Sequence, residues 1–96
     1  MELLAKIAIR ILKHLHTSES DFVEICAKDF DIDDYTLFAR QLDAMRIEKL
    51  VDRPPRQEPI NLTILTFEDE IKSIDTKVTV GITVKGVKEL RSLLPI

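Results

Sequence analysis

The clearest pattern of apolar and polar positions lies in residues 33–47. Phe38, Leu42 and Met45 recur at spacings of four and three residues, which places them on one face of an α-helix. Asp33 precedes this face as a helix N-cap residue would. The pattern therefore predicts a helix over residues 33–47. Its opposite face is expected to point outward and carries Leu37, Arg40, Gln41 and Ala44.

Apolar residues at helical spacing predict three further helices, over residues 2–15, 19–29 and 86–94. Two β-branched segments with near alternation, 60–67 and 77–84, predict strands. A polar stretch separates them, so we expect the two strands to pair as a long antiparallel hairpin. The pattern as a whole predicts an α+β protein.

Length and composition narrow the class of protein. A chain of 96 residues has room for one modest core, so we expect a single domain over residues 1–96. A hydrophobic fraction of 45% and a charged fraction of 32% are typical of soluble globular proteins. The single cysteine, Cys26, excludes an internal disulfide and fits a reducing compartment. No apolar run reaches the roughly 20 residues that a bilayer requires, and the basic residues near the start do not suit a signal peptide. We therefore expect a cytoplasmic protein.

The sequence offers little catalytic chemistry. It has no paired-carboxylate, Cys–His or phosphate-cradling motif with suitable spacing. His14 and His16 are two residues apart and do not share a helix face, so a metal site is not indicated. Asp31, Asp33 and Asp34 alternate like part of a calcium loop, but the required Gly and distal Glu are missing. We expect neither an enzyme nor a bound cofactor or metal.

Two segments at the joints between predicted elements resemble a known superfamily. The first is Phe38…Leu42-Asp43-Ala44-Met45…Leu50-Val51-Asp52-Arg53, and the second is Ile82-Thr83-Val84-Lys85-Gly86-Val87-Lys88-Glu89-Leu90. With the predicted order of helices and hairpin, they resemble the winged-helix DNA-binding superfamily, of the type found in multiple-antibiotic-resistance repressors. The resemblance covers roughly residues 17–94. The family usually has Gly where this chain has Lys49, a position that often requires a positive φ.

The resemblance implies a winged helix-turn-helix with three helices, a long β-hairpin wing and a C-terminal helix. It implies a DNA-binding transcriptional regulator of bacterial or phage type, with the third helix in the major groove. Arg40 would then pair with guanine and Gln41 with adenine. The groove-facing candidates are Thr36, Leu37, Arg40, Gln41 and Ala44. The phosphate-contact candidates are Lys49, Lys72 and Lys77.

The charge distribution supports an alternative function. Residues 17–35 carry seven acidic residues against Lys28 alone, a local charge of −6. The expected tip of the wing begins with Glu68-Asp69-Glu70. Carboxylates at these places would repel DNA phosphates, on whose neutralisation affinity largely depends. An acidic winged-helix module that binds a basic protein partner, and not DNA, is therefore the alternative hypothesis.

The first predicted helix also suggests self-association. Nine apolar residues between Leu3 and Leu15 cover more than one of its faces. If one face packs into the core, the apolar residues left near the surface come from both ends of the chain. This set consists of Ile9, Leu12, Leu94 and Ile96. A contiguous apolar patch of this kind predicts a homodimer through the terminal helices.

Overall fold

Helices and short strands alternate along the chain. A computed structural model describes residues 5–54 and 66–93. Its helices are α1 (Ala5–Thr17), a 3₁₀ helix (Ala27–Phe30), α2 (Tyr35–Ile47), α3 (Phe67–Glu70) and α4 (Val84–Leu93). Its strands are β1 (Val23–Ile25), β2 (Val51–Asp52) and β3 (Val78–Ile82). The protein is therefore of mixed α+β class, as the sequence predicted.

The three strands form one antiparallel sheet in the order β1-β3-β2. Val23 pairs with Val80, and Val51 pairs with Ile82. β3 is consequently the central strand, and its residues Val78 and Val80 are buried in the core. Gly81 lies so close to the Asp21 carbonyl and the Phe22 ring that no side chain would fit there. A glycine inside a strand often marks a bulge or a close approach of this kind.

The predicted helix over residues 19–29 is wrong. Residues 23–25 form strand β1, and a 3₁₀ helix follows it from Ala27 to Phe30. Ile25 is buried while Glu24 is exposed, an alternation that suits a strand at the edge of a sheet. The Asp29 carboxylate accepts a hydrogen bond from the Cys26 backbone N–H at 3.0 Å, which starts the 3₁₀ turn. Pairing with β3, far along the chain, outweighs the local helical periodicity.

The structure also differs from the predicted hairpin of residues 60–67 and 77–84. β3 occupies the centre of the predicted strand 77–84, but its neighbours are β1 and β2. Residues 60–65 of the other predicted strand lie outside the described residues. Phe67, its predicted last residue, instead begins helix α3, and the Thr66 hydroxyl caps that helix by accepting from the Asp69 N–H at 3.1 Å. Glu68, Asp69 and Glu70 are therefore helical and do not form a hairpin tip.

The predicted helix over residues 33–47 is present as α2, and its predicted apolar face is confirmed. The helix buries Phe38, Leu42 and Met45, as the spacing predicted. Its cap is Asp34, one residue after the predicted Asp33, and accepts from the backbone N–H groups of the first turn at 3.0 and 3.1 Å. Lys49 has a φ of 62°, the conformation expected where the family that the sequence resembles has glycine.

Packing in the core also determines which side of α1 is exposed for the predicted dimer. α1 packs against α2, β3 and α4, and Leu12 is fully buried within the chain. Leu12 therefore cannot form the predicted dimer patch, because a residue covered by its own chain has no surface for a partner. Ile9 is half-buried against the core, and Leu94 and Ile96 lie outside the described residues.

Candidate functional site

The predicted groove-facing residues of α2 do not form one exposed surface. Arg40 is exposed, while Thr36 and Leu37 are half-buried. Gln41 is only 3% exposed and Ala44 only 6%, so the prediction that these two point outward is wrong. α2 packs against α1, β2 and α3, and three neighbours bury a wider arc of the helix than three apolar positions indicate. Gln41 therefore cannot read a base edge in this arrangement.

The Asp43 carboxylate of α2 bonds the start of helix α3. The Asp43 Oδ1 atom accepts a hydrogen bond from the Phe67 N–H at 2.7 Å, and Oδ2 accepts from the Glu68 N–H at 3.0 Å. These two donors are among the N–H groups that a helix start leaves without intrahelical partners. The Phe67 side chain beneath them is fully buried. α3 is thus fixed beside the face of α2 that was predicted to enter a groove.

Two arginines complete the contact with α3. Arg53 Nη1 lies 2.6 Å from Glu70 Oε2, and its guanidinium carbon lies 4.1 Å from the centre of the Phe67 ring. Arg40 Nε lies 3.4 Å from Glu68 Oε1, with both side chains about half exposed. An exposed ion pair of this kind contributes only about 0–1 kcal/mol. Arg40 could exchange its partner at little cost, but the Glu68 charge would remain beside whatever Arg40 contacted.

The role of Asp43 and Phe67 in holding α3 was not predicted from the sequence. Thr66 and Asp69 stand three residues apart at the start of α3, which is the spacing of a helix N-terminal cap. This signal could have identified the helix in a segment read as a strand. The contact with Asp43 had no comparable signal, because the two sites are 24 residues apart.

The three predicted phosphate-contact lysines are all exposed, but they do not lie together. Lys72 and Lys77 flank the turn before β3, whereas Lys49 lies beside the residue that follows β3. The Thr83 hydroxyl donates to the Lys49 carbonyl oxygen at 2.6 Å, which fixes that position. Because a strand advances about 3.3 Å per residue, β3 separates Lys49 from Lys77 by roughly 20 Å. They cannot form one short phosphate-contacting cluster.

The strongest charge feature is the acidic segment, which we define as residues 19–34. Its seven carboxylates are all exposed: Glu19, Asp21, Glu24, Asp29, Asp31, Asp33 and Asp34. Lys28, its one basic residue, lies 3.9 Å from the Asp75 carboxylate. Phe22 within the segment and Tyr35 immediately after it are each 39% exposed. The acidic segment and the residue after it therefore combine negative charge with two accessible aromatic rings.

The described part of the chain shows neither a metal-binding cluster nor a membrane-spanning helix. Among residues 5–54 and 66–93, no three His, Cys, Asp or Glu side chains are grouped as a metal ion would require. None of the helices in those ranges has the length and apolar character needed to cross a bilayer. Comparison with protein-family models, with curated proteins and with solved structures finds no match to this chain.

Proposed function

We propose that this chain is a small winged-helix module that binds a basic protein surface and does not read duplex DNA. The winged-helix assignment is supported by the order of its elements. A short helix and α2 are joined by a turn, as in a helix-turn-helix, and the three-stranded antiparallel sheet lies beside them. In such a module the wing would lie between β2 and β3, and the described residues there include α3, which packs against α2.

The observation that carries the protein-binding proposal is the acidic segment with its exposed Phe22 and Tyr35. Aromatic residues are enriched at protein interfaces and account for much of the binding energy there. Carboxylates around such anchors suit a partner with lysines or arginines, which they attract and orient. The segment includes the 3₁₀ helix and the cap of α2, so it lies where a helix-turn-helix would approach a DNA backbone.

The sizes of the electrostatic repulsion and of a base contact favour a protein partner over DNA. Two like charges 4 Å apart repel by about 4 kcal/mol at an effective dielectric constant of 20. One bidentate base contact contributes about 1–3 kcal/mol of discrimination. Several carboxylates near phosphates would therefore cancel what Arg40 gains from a base. The surface that α2 still exposes has too few cations to reverse this balance.

A DNA-binding transcriptional regulator is the second candidate. It is favoured by the helix-turn-helix order and by the exposed Arg40, whose ion pair with Glu68 is weak. Lys72 and Lys77 are exposed as well and precede β3, where the wing of such a module would end.

Fluorescence anisotropy with two labelled probes distinguishes the candidates. One probe is a random-sequence duplex and the other an amphipathic peptide of lysine and leucine, titrated at about 50 mM and 200 mM salt. We expect saturable binding of the peptide and no binding of the duplex. Phe22→Ala and Tyr35→Ala should each weaken peptide binding about tenfold, as loss of an interface anchor does. The matched control is Ile47→Ala, since Ile47 is also exposed but lies outside the acidic segment.

Two results would contradict the proposal. Peptide binding that is as strong in Phe22→Ala and Tyr35→Ala as in the wild type would mean that charge alone holds the peptide, with no aromatic interface. Duplex binding that decreases with salt and is lost in Arg40→Ala would establish the second candidate instead.

A further inference from the structure

A cleft separates the last turn of α2 from the first turn of α4. It has a volume of about 490 Å³, within the range of small-molecule sites. Its walls come from the ends of three elements and the turns between them. They consist of Arg46, Lys49, Val51, Asp52, Thr83, Val84 and Lys85. None of the predicted sites includes this cleft as a whole, and the acidic segment contributes no residue to it.

The charge of the cleft is opposite to that of the chain. Its lining carries three cations and one carboxylate, whereas the whole chain has a net charge of −3. The carboxylate, Asp52, accepts a hydrogen bond from the Arg53 backbone N–H at 2.9 Å. No ion pair within the described residues involves Arg46, Lys49 or Lys85. The three cations are therefore available to an anion that enters the cleft.

Lys49 contributes one of the three cations of the cleft from the turn that ends α2. Its φ of 62° is in the left-handed region, which glycine adopts without the steric cost that a β-carbon brings. The helix end accounts for this conformation, because the Leu50 N–H donates to the Met45 carbonyl at 2.8 Å and the Lys49 N–H donates to the Arg46 carbonyl at 2.9 Å. A glycine would adopt it at lower cost in stability but would add no cation to the cleft.

Hydrogen bonds hold the backbone around the cleft in place. The Thr83 hydroxyl donates to the Lys49 carbonyl at 2.6 Å and accepts from the Gly86 N–H at 2.9 Å. Gly86 itself lies directly against the Leu50 carbonyl. These contacts join the exit turn of α2 to the start of α4. The backbone on both sides of the cleft is thus fixed before any ligand arrives, which lowers the cost of binding.

We propose that this cleft binds a small phosphorylated molecule of nucleoside diphosphate size. A guanidinium and two ammonium groups match a multiply charged phosphate, with arginine able to bind two oxygens at once. Val51 forms an apolar floor, and Val84, which is 76% exposed, offers an apolar wall for the uncharged part of the ligand. The cleft shares no residue with the acidic segment, so this proposal does not depend on the protein-binding function.

Amide chemical shifts of the isotope-labelled full chain, recorded against pyrophosphate and ADP, test the site. We expect saturable shifts at residues 46, 49, 84 and 85, with ADP binding more tightly than pyrophosphate. Arg46→Gln and Lys85→Gln should each weaken ADP binding about tenfold, the effect of about 1.4 kcal/mol. Lys72→Gln is the matched control, because it removes an exposed lysine outside the cleft, and should leave ADP binding unchanged.

Lys49→Gly separates loss of binding from loss of folding. Glycine relieves the strained backbone, so this variant should unfold at a higher denaturant concentration than the wild type while binding ADP more weakly. Absence of saturable shifts in the wild type would overturn the proposal, as would ADP affinity unchanged in Arg46→Gln and Lys85→Gln. Displacement of the ADP shifts by a polyglutamate peptide at lower concentration than ADP itself would also overturn it, in favour of an acidic peptide as the ligand.

Discussion

The exit from α2 is governed by a few residues with little tolerance for change. Lys49 takes a left-handed conformation, and Thr83 bonds its carbonyl from the start of α4. Gly86, two residues into α4, is buried against the Leu50 carbonyl. A β-carbon added at Gly86 would lie 2.8 Å from the Ile82 Cγ1 atom. Replacing Gly86 with alanine would therefore have two opposing effects on stability. Alanine favours a helix by about 1 kcal/mol, but its methyl group would clash with backbone that cannot move easily.

We expect the clash to dominate, so Gly86→Ala should destabilise the protein by about 1–3 kcal/mol, the usual cost of overpacking. Urea unfolding followed by circular dichroism measures the change. Lys88→Ala is the control on the same helix, because Lys88 is exposed and its substitution should alter stability by less than about 0.5 kcal/mol. A Gly86→Ala midpoint above that of the wild type would show that the backbone around Leu50 can give way.

Among the elements, α3 depends most on a distant partner. Four residues are too few to form a stable helix alone, and α3 has only its Thr66 cap within its own segment. Asp43 supplies two further acceptors from α2, and Phe67 anchors the turn in the core. The ion pair between Arg53 and Glu70 adds a partly buried contact. The position of α3 is consequently a property of the packed protein and not of residues 67–70.

Asp43→Ala should therefore destabilise the protein by about 1–2 kcal/mol, in the range measured for helix caps. It should also speed amide hydrogen exchange at residues 67–70 more than elsewhere. Asp33→Ala is the control, since Asp33 is an exposed carboxylate with no such role. Unchanged exchange of the α3 amides in Asp43→Ala would mean that Phe67 alone holds the helix.

Across the whole molecule, charge is unevenly distributed. The acidic segment gathers seven exposed carboxylates in a chain with a net charge of −3, while the cleft at the other side of β3 carries three cations. Like charges held close together destabilise the compact state. Salt reduces this repulsion, because the Debye length falls from about 30 Å at 0.01 M to about 8 Å at 0.15 M.

We expect the urea midpoint to rise between about 0.01 M and 0.15 M salt, as screening over this range predicts. Asp33→Asn should raise the midpoint at low salt and reduce its dependence on salt. Ser92→Lys makes the same change in net charge on the exposed end of α4, so it should have a smaller effect. Equal effects of the two variants would indicate that net charge, and not the acidic segment, sets the salt dependence.

The sequence by itself determined those features whose causes are local. The helix α2 follows from the spacing of Phe38, Leu42 and Met45, and its burial on that face is as predicted. The left-handed residue after α2, at Lys49, was likewise expected from the position where the family that the sequence resembles has glycine. Capping, turn geometry and periodicity act between residues a few positions apart, so one segment contains all the information they need.

Only the tertiary structure decided what depends on distant partners. Residues 23–25 became a strand because β3, more than fifty residues later, offered a free edge. Gln41, Ala44 and Leu12 are buried because neighbouring elements cover more of each helix than its own pattern indicates. Of the predicted groove-facing set, Arg40 alone is in the exposed class, with its side chain about half exposed. Which side of an element meets solvent depends on everything that packs against it, and packing joins residues that the order of the sequence keeps apart.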